Sequence, residues 1–345
     1  MGKQQRGTTG VGIDVSKDRL DVSLQRPGGE VQEDQFANAQ PQWRTLLRWM
    51  RKGSAQVRVV LEATGTYHLD LALFLHAQKK VEVMVVNPRA AHNFAQACMQ
   101  RAKTDRVTAA MLREFGARMV FVPWQPPPRQ VLEVRALARR IQALKQQSAA
   151  EKNRLHAAQS SALGPAAVRA DIEANVDQLE GRIAALSAAA VQQIDSDPDM
   201  RRRYEQLLSV TGVAATSAVQ LLAELLVLPP DMTVRQWVAH CGLDPRPFES
   251  GSSVQRRVRI SKKGNAHLRA ALYFPALTAM QHDPHVRAFA AQLRARQREG
   301  LQVVVAVMRK LLHAIFGMWK HASEWRGEKF FALNSARAAA LQPAA

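Results

Sequence analysis

Cysteine is nearly absent: Cys98 and Cys241 are the only two in 345 residues, and neither belongs to a CxxC or a paired Cys/His spacing. This excludes a disulfide framework and a zinc site of the usual kind, and it fits a reducing cytoplasm with both thiols buried in ordinary cores. No apolar run follows the basic start at residues 1–6, so no signal peptide is expected. The most apolar late stretch, residues 301–319, is broken by Arg309, Lys310 and His313, which makes it an amphipathic helix of a soluble protein rather than a membrane span. Acids are the scarce charge, 29 Asp and Glu against 48 Lys and Arg, leaving a net charge of +19. Such a field attracts polyanions before any specific contact forms, so nucleic acid is the expected partner, although ribosomal and membrane-surface proteins share this balance. The cations do not form a tail. Arg201-Arg202-Arg203, Arg256-Arg257, Arg259 and Lys262-Lys263 sit inside apolar-rich, periodic sequence, where clusters repeated through one half of a chain favour a binding surface.

The chain is long enough for two or three domains. Residues 11–15, 20–25 and 30–36 read as three short strands joined by turns, followed by a helix at 42–52, a buried strand at 57–61, a helix at 69–79, a strand at 81–86 and a further helix. That order suits a mixed sheet flanked by helices, as in the ribonuclease-H-like fold, over residues 1–124. Pro126-Pro127-Pro128 marks a boundary. Beyond it, residues 125–199 read as a helical arm. Ile172, Val176, Leu179, Ile183, Leu186, Ala190 and Ile194 follow the spacing of a coiled-coil seam, and Gly164-Pro165 marks a turn or kink. The seam suits a dimer contact or a helical hairpin packed on its own domain. Residues 200–331 are expected to be mainly helical, with a helix-hairpin-helix-like stretch around Gly212 in which Ala214 stands where a second glycine is usual. Residues 332–345 read as a frayed tail. The fold class expected is thus α/β followed by α.

Three acids could hold a hard cation. Asp14 lies in the strand Gly12-Ile13-Asp14, Glu62 closes the apolar run at 57–61, and Asp105 opens a helix after Lys103-Thr104. Carboxylates from a first strand, a later strand end and a late helix are what Mg²⁺ requires, and a metal so held stabilises both the attacking and the leaving oxygen of a phosphoryl transfer. Taken singly, each acid also reads as a turn cap, a strand-end residue or a helix N-cap. A Gly-Ile-Asp strand opens sugar kinases and actin-like ATPases as well, but no second glycine-rich phosphate loop follows. A second constellation is Glu249-Ser250-Gly251-Ser252-Ser253, followed by Arg256, Arg257, Arg259, Lys262 and Lys263. A serine among cations can attack a phosphate, because they stabilise the charge that develops. On composition alone, a flexible loop that merely hydrogen-bonds phosphate is the preferred reading.

Gly12-Ile13-Asp14, the run from Glu62 to Tyr67, Asn87-Pro88, Lys103-Thr104-Asp105, the hairpin near Gly212, the run from Glu249 to Ser253 and Ser261-Lys262 together resemble the transposases, or recombinases, of the bridge-RNA-guided insertion sequences. These join a RuvC-like DEDD domain to a C-terminal transposase domain, and the resemblance covers nearly the whole chain. It implies that Asp14, Glu62 and Asp105 are the first three acids of a Mg²⁺ set. It implies that Ser250 attacks DNA and becomes joined to a phosphate. It further implies donor and target DNA and a structured guide RNA as partners, with base pairing choosing the sites. Dimers would assemble to tetramers on DNA, one subunit's acids meeting another's serine. One position departs from the pattern: three residues after Asp105, where the fourth acid is expected, stands Thr108, a neutral and weaker ligand, so weakened metal binding is expected. A junction-resolving nuclease that uses water as nucleophile, or a non-catalytic nucleic-acid binder, would share much of this sequence pattern.

Overall fold

The computed structural model describes residues 7–63, 65, 67–99, 104–160, 164–250, 254–298 and 300–333, with side chains left aside at 247–250 and 254–258. The chain divides between Pro126 and Pro127 into two compact units. The break falls within the three prolines, which supply neither a helical backbone nor amide donors.

The first unit is built on a five-stranded sheet in the order β3-β2-β1-β4-β5. Its strands are β1 (Thr8–Val15), β2 (Arg19–Gln25), β3 (Val31–Ala37), β4 (Gln56–Glu62) and β5 (Val81–Val86). The first three form an antiparallel meander, while β4 and β5 run parallel to β1. This mixed order is that of the ribonuclease-H-like fold. On one face Val11, Ile13 and Val15 pack under α1 (Gln40–Arg51) and α2 (Leu69–His76), through Trp43, Leu46, Met50, Leu71 and Leu75. The other face carries α4 (Asp105–Arg118), whose Leu112 and Phe115 cover Val60 and Val86. Between β5 and α4 lies α3 (Pro88–Ala97), which starts where the Asn87 side chain accepts the Arg89 amide and Pro88 presets the first turn. Cys98, just past it, is exposed rather than buried in a core.

The second unit opens with two long helices, α5 (Arg129–Gln159) and α6 (Ala166–Asp195), packed side by side. The contacts Gln193 to Glu133 and Lys152 to Glu180 run in opposite senses along them, so they form an antiparallel hairpin, with Gly164-Pro165 at the turn. Val176 and Leu179 of the heptad seam are buried in this single chain. At the base of the pair Val131, Val134, Ile141, Ala190 and Ile194 enter one core with the helices that follow. Those are α7 (Pro198–Ser209), α8 (Ala215–Leu225), α9 (Val234–Cys241), α10 (Ala266–His282), α11 (Pro284–Ala295), α12 (Gly300–Lys320) and the short α13 (Gly327–Phe330). By length and composition α12 could cross a membrane; its Val304, Val307, Leu311, Leu312 and Ile315 are buried in this core. Gly212, between α7 and α8, has φ +92°, and a Cβ there would come within 2.6 Å of the Pro275 carbonyl oxygen on α10. The glycine of the hairpin motif is therefore demanded by packing as well as by its turn.

The region expected to be mainly helical also contains a β-hairpin, β6 (Pro245–Ser250) with β7 (Val254–Ile260), bulged between Arg246 and Phe248. Val254, Arg256, Val258 and Ile260 follow a two-residue period, the mark of a strand, inside what reads first as a basic run.

Candidate active site

The acids converge because of a glycine. A Cβ on Gly12 would lie 2.1 Å from the Ala109 carbonyl oxygen and 2.3 Å from the Arg113 amide nitrogen, so α4 rests directly on the β1 backbone. Asp105 begins α4 one turn before Ala109, and Thr104 caps it by accepting the Val107 amide. Asp14 lies two residues after Gly12 and hence on the same face of the sheet. On β4, Val60 pairs with Gly12, so Glu62, two residues further, lies level with Asp14 on that face. On β2, Asp21 is the direct cross-strand partner of Asp14. Neighbouring strands thus present Asp21, Asp14 and Glu62 side by side, with the N-terminus of α4 and its Asp105 beside them.

The electrostatics record this gathering. The Asp14 carboxyl is pushed up from 3.8 to about 6, first by burial and then by the negative charges of Asp105, Glu62 and Asp21. Arg19 sets a cation among these acids: it donates from Nε to Asp21 Oδ2 at 2.9 Å and from Nη2 to Asp105 Oδ2 at 2.6 Å. Asp21 is 2% exposed and completes its shell by accepting from Gln35 Nε2 at 2.6 Å. Sequence reasoning missed Asp21 and Arg19, although the polar turn between the first two strands sets the register that puts Asp21 opposite Asp14. Thr108, in place of a fourth acid, is partly buried and donates its hydroxyl to the Thr104 carbonyl at 3.1 Å. Among the described residues no three Asp, Glu, His or Cys side chains already converge at ligand distances. The donor set is nevertheless all oxygen and carries more negative charge than Arg19 balances, which fits a hard divalent cation rather than a soft one.

The second constellation lies in the other unit. Ser250 ends β6, its backbone paired with Val254. Gly251, Ser252 and Ser253 and the side chains of Ser250, Arg256 and Arg257 lie outside the described residues. Arg259 and Lys262 are exposed, as is Lys263, which has a contact of its own. The turn after β7 is fastened to the end of α9: the Ser261 amide and hydroxyl donate to Asp244, the Lys262 amide donates to the Gly242 carbonyl, and the Asn265 amide donates to that of His240. Asn265 also donates its side-chain amide to Glu224 Oε2 at 2.6 Å. Glu224, 2% exposed on α8, accepts in addition from Arg139 Nε at 2.7 Å and pairs with Arg135 Nη2 at 3.1 Å, both on α5. Burial alone would raise its pKa; the two guanidiniums and Asn265 hold it down at about 2. A buried ion network therefore ties the foot of the long hairpin to the loop that carries β7 into α10. A lone acid in the apolar run of α8 was its sequence signal.

A mixed sheet bearing clustered acids, followed by a helical unit with a hairpin of basic sequence, suits an enzyme that acts on nucleic acid. Residues 11–161 match a transposase family of the DEDD, IS110 type, and residues 204–291 match the transposase IS116/IS110/IS902 family. The chain is also similar to two proteins described as pilin gene-inverting proteins, from Moraxella bovis and Moraxella lacunata. Each is 26% identical over 308 residues, covering 88% of this chain and 93% of the relative. An insertion element IS110 uncharacterized 43.6 kDa protein of Streptomyces coelicolor is 27% identical over 112 residues, 32% of this chain and 27% of that protein. The chain carries the two transposase domains of the IS110 family.

Proposed function

We propose that this chain is a DNA recombinase that cuts and rejoins strands through a serine-linked intermediate, with Asp14, Glu62 and Asp105 as the ligands of Mg²⁺. The observation that supports this best is the gathering of the acids at one level of the sheet, where burial first and then the charges of Asp105, Glu62 and Asp21 raise Asp14 to about 6. When bound, the metal supplies Lewis-acid stabilisation of the phosphoryl oxygens. The chain's own contributions are positional. Gly12 lets α4 lie close enough to deliver Asp105, and Arg19 holds Asp105 and Asp21 in register. The Ser250 hydroxyl loses its proton, its oxygen bonds to phosphorus, and the bond from phosphorus to the leaving sugar oxygen breaks as that oxygen takes up a proton. The reverse step, with a new sugar hydroxyl, rejoins strands without an external energy source. Arg256, Arg257, Arg259, Lys262 and Lys263 would clamp the backbone, reading its charge rather than its sequence.

The relatives' printed name, a protein that inverts a gene, suits such conservative cutting and joining. The remaining elements of the proposal are a structured guide RNA, dimers assembling to tetramers on donor and target DNA, and action at the bacterial nucleoid in the cytoplasm. The test is a trapped protein–DNA adduct. It should form with the full chain and Mg²⁺, vanish in Ser250→Ala, and fail to form in Asp14→Ala although that variant still binds DNA. An adduct that persists in Ser250→Ala removes the serine from its role, and metal-dependent cleavage with no adduct points to water as the nucleophile. Sequencing RNA that copurifies with the chain tests the guide.

A further inference from the structure

The last third of the second unit holds a groove that neither family match covers, since these end at residues 161 and 291. It runs between the exposed face of α12 and the segment that follows, with a volume of about 240 Å³, and His313, Gly317, His321, Arg326 and Lys329 line it. Through Lys310 and His313 it continues into a depression of about 370 Å³ beside Phe289 and Arg309. Arg309, His313, Gly317 and His321 recur every four residues, one stripe about 18 Å long at the rise of an α-helix.

Three features bear on what this groove takes. First, its charge is one-sided. Among the described residues no carboxylate pairs with Arg309, Lys310, Arg326 or Lys329, and Glu324 is the single acid lining the groove. Second, aromatic faces stand beside the cations. The Lys310 ammonium lies 4.1 Å from the ring centre of Phe289, 4.9 Å from Phe330 and 5.0 Å from Phe331, which pins it in place. Third, a Cβ on Gly317 would meet nothing within 4 Å. Packing does not ask for glycine there, and within a helix glycine is destabilising relative to alanine. A bare backbone at that point leaves the groove floor open to a close-lying chain.

We propose that this groove is a second nucleic-acid surface, distinct from the Ser250 hairpin, which takes a phosphodiester backbone over Gly317 and clamps it with Arg309, Lys310, Arg326 and Lys329. An anionic membrane offers the same charge, but peripheral insertion needs an exposed apolar face. The apolar face of α12, at Val307, Leu311 and Ile315, is already buried. The inference rests on the recombinase reading only for the class of partner.

The experiment measures binding of the full chain without metal, so that strand cleavage plays no part, against a labelled DNA duplex, a labelled RNA hairpin and phosphatidylserine vesicles, across a salt series. The triple variant Arg309→Gln, Arg326→Gln, Lys329→Gln should lose at least tenfold in affinity for one of the nucleic acids. Its plot of log affinity against log salt should flatten by about 0.9 for each duplex phosphate that is no longer neutralised, and about 0.7 for a single strand. Gly317→Gln should weaken binding about tenfold without lowering the unfolding midpoint, which separates a filled groove from a damaged fold. The nucleic acid that loses more identifies the natural occupant. Unchanged affinity and slope in both variants, or tighter binding to vesicles than to either nucleic acid, overturns the proposal. Adduct formation, measured in parallel, tests the recombinase reading separately.

Discussion

Replacing Asp14 by Asn should make the metal-free protein more stable, although it destroys the proposed site. The carboxylate is partly buried beside Asp105, Glu62 and Asp21, and these surroundings raise its pKa from 3.8 to about 6. A carboxyl whose folded pKa is raised opposes folding once pH passes the unfolded value; the penalty grows between about pH 4 and pH 6 and is constant above. At about 1.4 kcal/mol for each tenfold change in proton affinity the upper bound is about 3 kcal/mol. Because the group is partly open to water, roughly half of that is expected after screening. Thermal unfolding in EDTA should therefore show Asp14→Asn melting several degrees above the wild type at pH 8, with the difference closing toward pH 4. Adding Mg²⁺ should reverse the order, since binding to the native state alone stabilises it in proportion to the logarithm of metal concentration over Kd. If Asp14→Asn is no more stable than the wild type at pH 8 without metal, burial and the neighbouring acids do not penalise the Asp14 carboxylate and the reasoning fails.

Gly12→Ala should cost about 3 kcal/mol or more, because its methyl group meets backbone atoms of α4 that cannot step aside; the Mg²⁺-induced rise in melting temperature should go with it. Thr108→Asp adds a fourth carboxylate to an already crowded site, so its metal-free melting temperature should fall while its Mg²⁺-induced rise and its cleavage rate grow; no gain in either would dismiss Thr108 as the weak point of the site. Glu224→Gln strands Arg135 and Arg139 and should cost about 3 kcal/mol in urea unfolding of the second unit near pH 7. Since the folded pKa of Glu224 is depressed to about 2, its contribution is full above about pH 4.5 and lost as pH falls toward 2, so the difference between variant and wild type should shrink over that window.

Much of the sheet was readable because strands announce themselves by local pattern. The runs at 57–61 and 81–86 are apolar on every residue but Arg58 and Glu82, as strands covered on both faces must be, and they became β4 and β5 within a residue or two. The helices were harder to bound: the stretch expected to be helical through residue 79 ends at His76, since turning back into β5 needs Lys80 at φ +62°. The β6–β7 hairpin was hidden because its alternate positions carry arginine and glutamine, so charge masked a two-residue period.

The site divides along the same line. Asp14, Glu62 and Asp105 were visible as acids at element ends, whereas Asp21 sits inside the strand at 20–25 with no motif of its own to single it out. Its burial is a tertiary fact: strand alternation puts Asp21 on the face that α4 covers, and the register set by the Ser16–Asp18 turn puts it opposite Asp14. A carboxylate that is 2% exposed requires a partner, and Arg19 answers that requirement while reaching on to Asp105. The same guanidinium therefore opposes metal entry at Asp105 and relieves repulsion among the acids. Arg19→Gln should lower the metal-free melting temperature, because the acids lose this counter-charge, yet tighten Mg²⁺ binding measured by titration calorimetry, because Asp105 is released. Weaker binding in Arg19→Gln would instead make the arginine a permanent strut of the loaded site, with Asp105 held by it rather than by the metal.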